Sequence, residues 1–99
     1  MSSWTFLTNH ARVLVCVGRE PQIRLREIAQ CAKITERTAQ AILNDLVDAG
    51  YVTRRRTGRR NLYEIHLERP LRHELDSEHA VHEVLSRLVE DRVQTEDAA

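Results

Sequence analysis

Aromatic residues are scarce in this 99-residue chain, where one tryptophan, one phenylalanine and two tyrosines make up 4%. Proteins that grip single-stranded nucleic acid stack bases on rows of aromatic rings, and no such row is present. The three glycines form no phosphate-cradling loop, and neither His-Glu-x-x-His nor Gly-x-Ser-x-Gly occurs. Neither an enzyme nor a cofactor is expected. Two cysteines, Cys16 and Cys31, give neither a disulfide framework nor a zinc spacing. Read as isolated thiols in apolar, helix-like segments, they point to a reducing cytoplasm. The longest apolar run, 13–17, is too short for a membrane span or a signal-peptide core, so no membrane is expected. Lysine is nearly absent too: Lys33 stands alone, and the remaining positive charge is arginine. GC-rich codon usage accounts for that preference without any function.

What is present suits one small folded domain. Hydrophobic residues make up 41% and charged residues 30%, an ordinary balance with enough apolar surface for a thin core. The net charge of zero hides a split. Residues 1–73 hold thirteen basic against seven acidic side chains, an excess of six, and residues 74–99 hold two against eight. That asymmetry suggests a body that meets a polyanion and an end that does not.

Periodicity divides the chain further. Thr8 caps a first helix through about Val17, with Ala11, Leu14, Val15 and Val17 inward, Gly18 as its end and Pro21 blocking continuation. Ile23-Arg24-Leu25 alternates like a very short strand. A short helix over 26–33 follows, with Ile28, Ala29 and Ala32 on one face. Ile34-Thr35 breaks it, and Thr35 caps a third helix over 36–49, whose stripe is Ala39, Ile42, Leu43, Leu46 and Val47. Gly50 closes that helix. Extended runs at 51–53 and 62–67 flank the basic turn around Thr57-Gly58 and read as a β-hairpin. A last helix is expected from Asp76 or Ser77 to about Val93, with 95–99 as a frayed tail.

This order of helix, short strand, helix, helix, hairpin and helix resembles the winged helix-turn-helix fold at Ile34-Thr35 and at Gly50-Tyr51-Val52. The stretch 25–52 is similar to the core of the MarR and ArsR regulator superfamily, and the resemblance covers roughly residues 9–67. The fold class is mainly α with a small β-hairpin. Residues 1–69 are expected to form the winged-helix domain with its lead-in, and 70–99 a dimerisation helix with a tail.

The resemblance implies that the third helix enters the DNA major groove. Its apolar stripe must face the body, which leaves Glu36, Arg37, Thr38, Gln40, Ala41 and Asn44 outside. Arg37, Gln40 and Asn44 share one face and suit base readout: arginine pairs with guanine, glutamine or asparagine with adenine. Thr35 and Thr38 are candidates for a phosphate. Without the resemblance, the same face would read as merely solvated. The hairpin adds Arg54, Arg55, Arg56, Thr57, Gly58, Arg59 and Arg60, a crowd of like charge that a phosphate backbone or narrow minor groove would relieve. A basic hairpin kept for solubility is the bland alternative.

The last helix carries Val81, Val84, Leu85 and Leu88, spaced for pairing with a symmetry mate, with Trp4 and Phe6 beside them. The resemblance also implies a homodimer, with two reading helices about 34 Å apart, one DNA turn. A helix packed on its own chain is the alternative. His79, His82 and Glu83 have the i, i+3, i+4 spacing of a zinc or nickel site, but no distant second ligand pair accompanies them. The expected function is thus a sequence-specific duplex-DNA-binding regulator, in the repressor mould and homodimeric, with no assignable small-molecule effector. Two alternatives stand beside it: a winged helix that binds proteins, and a metal- or redox-responsive DNA-binding switch. With little chain beyond the winged helix, a large ligand domain is not expected, though a small pocket at the dimer seam is compatible.

Overall fold

The computed structural model describes residues 3–98. Three helices come first: α1 (Asn9–Arg19), α2 (Leu25–Ala32) and α3 (Glu36–Asp48). Strands β1 (Val52–Thr57) and β2 (Arg60–Ile65) follow, and α4 (His82–Ala98) ends the order. The mainly helical class with one antiparallel hairpin is as the sequence indicates.

Sequence chemistry sets the helix ends. The Thr8 hydroxyl accepts from the Ala11 N–H at 3.1 Å and caps α1. Thr35 caps α3 in the same way, accepting from the Thr38 N–H at 3.1 Å. At the far end of α3, Gly50 takes φ +87°. Its N–H donates to the Val47 carbonyl, and the Tyr51 N–H reaches back to Leu46, which is the Schellman arrangement that glycine permits. Helix α2 ends on a similar turn, with the Ile34 N–H donating to the Ala29 carbonyl at 2.9 Å. Here the left-handed residue is Lys33, at φ 60°, and it carries a side chain.

Four expectations are corrected. The short strand at Ile23-Arg24-Leu25 does not form. Ile23 closes a turn by donating to the Glu20 carbonyl, and Leu25 already begins α2. The Arg24 N–H donates to the Glu27 carboxylate at 2.9 Å, so this segment is committed to starting a helix. The loop before α2 meets the hairpin without forming a strand, the Pro21 carbonyl accepting from the Tyr63 N–H at 2.9 Å. Gly18 does not end α1, which runs on to Arg19. A Cβ at Gly18 would lie 2.9 Å from Ile65 Cδ1 and 3.0 Å from Val89 Cγ1, so the glycine lets β2 and α4 approach the helix closely.

The last helix begins at His82 rather than near Asp76. Backbone bonds from Leu71 to the His79 carbonyl and from Val81 to the Arg69 carbonyl pull both flanks of the 72–78 loop together. Residues up to 81 are thereby bound to 67–71 and cannot join a helix. The helix then runs through most of the expected tail, to Ala98, with Ala99 outside the described residues.

The cysteines, finally, are not isolated. Cys16 of α1 and Cys31 of α2 form a disulfide across a Cα separation of 6.4 Å. Their sequence separation of 15 residues gave no sign of it, because the contact exists only once α2 folds back on α1.

The core lies among α1, α2, α3 and the base of the hairpin. Val13, Val17, Ile28, Leu43 and Val52 are its most enclosed side chains, each contributing about 1.5–3 kcal/mol by burial. Lys33→Gly is expected to stabilise the fold by about 0.5–1 kcal/mol by relieving the left-handed conformation. Lys33→Ala should leave stability nearly unchanged, and chemical denaturation of both variants checks this.

Candidate nucleic-acid interface

Burial of Ala39, Ile42, Leu43 and Leu46 turns the opposite face of α3 outward. Glu36, Arg37, Thr38, Ala41 and Asn44 are exposed there, and Gln40 is half-buried. The Thr35 hydroxyl donates to Thr38 Oγ1 at 2.9 Å while accepting from the Thr38 N–H. Thr35 is therefore used within the helix turn, and the Thr38 hydroxyl proton remains for an outside acceptor. Gln40 Nε2 donates to Asn44 Oδ1 at 3.1 Å.

The hairpin register pairs Arg54 with Tyr63, Arg55 with Leu62, Arg56 with Asn61 and Thr57 with Arg60. Gly58 and Arg59 thus form a two-residue loop. Gly58 has φ +63° with open space around it, the first-position glycine that suits tight hairpin turns. Paired residues share a face, so Arg54 and Arg56 lie on the side of buried Tyr63, and Arg55 on the other with Glu64. Arg55 and Glu64 approach at 3.8 Å on the exposed surface, where such a pair adds little stability.

The wing arginines divide by what they touch. Arg54 Nη1 reaches Asn44 Oδ1 at 3.4 Å and ties the wing to α3. Arg56 Nε donates to the Gly58 carbonyl at 3.3 Å, and Arg60 Nη2 to the Gln22 carbonyl at 2.9 Å. Arg37 and Arg59 make no hydrogen bond or ion pair to any described residue. The arginine-rich wing thus meets the outward face of α3 through Arg54 and Asn44.

Two residues beyond the predicted set join it. Gln22 and Arg24 line a groove of about 370 Å³ with Gln40, Arg59 and Arg60. Nothing in their spacing marked them, since only the fold-back of the hairpin onto the loop before α2 brings them there.

The predicted dimer residues split. Val81 and Leu85 are each 4% exposed and belong to the chain's own core. Leu88 is half-buried in a cleft beside the disulfide, with Leu7 and Val15. Val84, Trp4 and Phe6 face outward at 52, 69 and 91% exposure. Trp4 and Phe6 meet edge to face, with centroids 5.0 Å apart.

His79 and Glu83 are also brought together, with Nδ1 2.8 Å from Oε1. The other carboxylate oxygen accepts from the Ala80 N–H at 2.8 Å. This backbone bond, and then His79, hold the Glu83 carboxyl below the usual range. Both oxygens are engaged in tying down the start of α4, and His82 is exposed nearby. Among the described residues, no three histidine, cysteine or acidic side chains are grouped to hold a metal ion. No described helix is long and apolar enough to cross a membrane.

Among known families, the model of the MarR family matches residues 5–60. That stretch spans α1, the two helices of the helix-turn-helix, β1 and the wing turn. No match is found among curated proteins. The helix order, the capped third helix and the arginine-rich wing agree with this match over more than half of the sequence, and the chain belongs to the MarR family of DNA-binding transcription regulators.

Proposed function

We propose that this protein is a sequence-specific regulator that binds duplex DNA as a homodimer and acts as a repressor. The observation that carries the reading is the arginine-rich wing, tied to the outward face of α3 by Arg54 and Asn44. In this reading Arg37 and Gln40 meet base edges in the major groove, and Thr38 donates to a phosphate. Arg56 and Arg59, at the wing tip, neutralise phosphate or enter the minor groove.

Two copies pair through the exposed Trp4, Phe6 and Val84, while Val81 and Leu85 fix α4 to its own body. The exposed rings of Trp4 and Phe6 support this, since large apolar side chains at such exposure favour a partner surface. Phe6→Glu together with Val84→Glu should give a monomer with unchanged helix content. Sedimentation equilibrium and circular dichroism check that outcome.

Fluorescence anisotropy with duplex from upstream of the gene tests the main reading. Affinity should fall steeply with salt and exceed that for a scrambled duplex. Arg56→Ala and Arg59→Ala should weaken binding to both duplexes alike and reduce the salt slope by about one each. Arg37→Ala should cost about 1–3 kcal/mol on the upstream duplex only. Absence of binding at low salt by folded dimer would leave a protein-binding winged helix instead.

The Cys16–Cys31 disulfide favours a second reading, in which DNA binding responds to redox state. It joins α1 to α2, and α2 sets the turn into α3. Cys31 is on the exposed side, within reach of a reductant. Closing a loop of this length stabilises a chain by about 3 kcal/mol in the chain-entropy account. Reduction, or Cys31→Ser, should lower the unfolding free energy by that order and weaken DNA binding several-fold. Equal affinity with and without reductant would leave the disulfide a purely structural clamp.

A further inference from the structure

Asn44 has the residue type and the exposure of a base reader, yet its carbonyl is already occupied from two sides. Arg54 Nη1 lies 3.4 Å and Gln40 Nε2 lies 3.1 Å from the same Oδ1. A guanidinium offers only donors. The Asn44 atom facing it must therefore be the oxygen, and the Gln40 atom meeting that oxygen must be the amide nitrogen. One charged side chain on the wing thus fixes the orientation of two amides on α3. An uncommitted glutamine can turn either its carbonyl or its amide nitrogen towards a base. Held by Asn44, Gln40 keeps Oε1 and one N–H free, in a fixed order along the helix.

We propose that Asn44 is a positioning residue rather than a base reader, and that the Arg54–Asn44–Gln40 chain locks Gln40 in the orientation that selects adenine. Adenine presents an amino donor beside the N7 acceptor in the major groove, matching a free carbonyl and a free N–H, whereas guanine presents two acceptors. This assignment rests on the proposed reading of α3 as the DNA-reading helix. It makes the wing part of the specificity at a base the wing does not touch.

The test has a DNA-free arm and a DNA arm. In the NMR spectrum, the Gln40 side-chain amide should show one hydrogen-bonded proton, lost in Asn44→Ala and kept in Asn44→Asp, whose carboxylate still accepts. In the second arm, wild type and variants each select from a duplex library randomised over two half-sites. Wild type should show one adenine position that vanishes in Gln40→Ala. Its preference, about tenfold for one good bidentate contact, should fall to about twofold in Asn44→Ala and recover in Asn44→Asp. The acid will weaken all sequences alike, which leaves the base ratio unaffected.

An unchanged Gln40 resonance in Asn44→Ala overturns the proposal. So does a base other than adenine at the Gln40-dependent position, the absence of any such position, a full adenine preference in Asn44→Ala, or a loss there at a different position. In each of those cases selection of some sequence by wild type would leave the DNA-binding reading standing. Failure of wild type to bind any duplex would overturn both.

Discussion

Leu43 and Ile42 bury the inner side of α3 against the body, and every outward residue of that helix is placed by this contact. A helix offers one stripe to a core and the opposite stripe to solvent. Once Ala39, Ile42, Leu43 and Leu46 are committed inward, Arg37, Ala41 and Asn44 have no other direction to take. The Thr35 cap fixes where the helix begins, and the turn at Gly50 fixes where the chain leaves it for β1. The wing therefore inherits its position from the same packing, because only Tyr51 separates Gly50 from β1.

Electrostatics then determines what such a surface can meet. Five arginines within seven residues of a hairpin repel one another, and one exposed pair with Glu64 does little to offset that. Some of this charge is used internally: Arg60 holds the loop before α2, and Arg54 holds Asn44. These contacts brace the wing against the helix-turn-helix instead of leaving it a loose arm. Among the described residues, Arg37 and Arg59 make no hydrogen bond or ion pair. The net acidic excess lies in the 74–99 segment, beyond the helix-turn-helix and wing.

The back of the molecule shows how few apolar residues a small body has to spend. Val81 and Leu85 were spaced well for a helix pair, but Val81, just ahead of α4, and Leu85 within it belong to the chain's own core, and α4 packs on α1. A chain this short must close its core with whatever helix it has. Of the residues expected to pair, Trp4, Phe6 and Val84 stay exposed, a smaller surface than the helical period alone suggested. The disulfide adds a covalent tie between α1 and α2 next to the cleft that Leu88 enters.

Much of this fold was legible in the sequence, for local reasons. Thr8, Thr35 and Gly50 act through the backbone next to them, so their caps could be read directly. The stripe of α3 and the turn at Thr57-Gly58 follow from periodicity and from glycine's freedom at positive φ. The outward set on α3 followed from the same periodicity. Tertiary structure alone decided the rest. The fold-back of α2 joins Cys16 to Cys31 across the chain. The approach of β2 and α4 gives Gly18 its role inside a helix. The bonds between 67–71 and 79–82 delay the start of α4. The meeting of wing and α3 closes the Arg54–Asn44–Gln40 chain. Each depends on a contact between segments distant in sequence, and residue type or spacing within one segment carries no record of what the other segment brings to it.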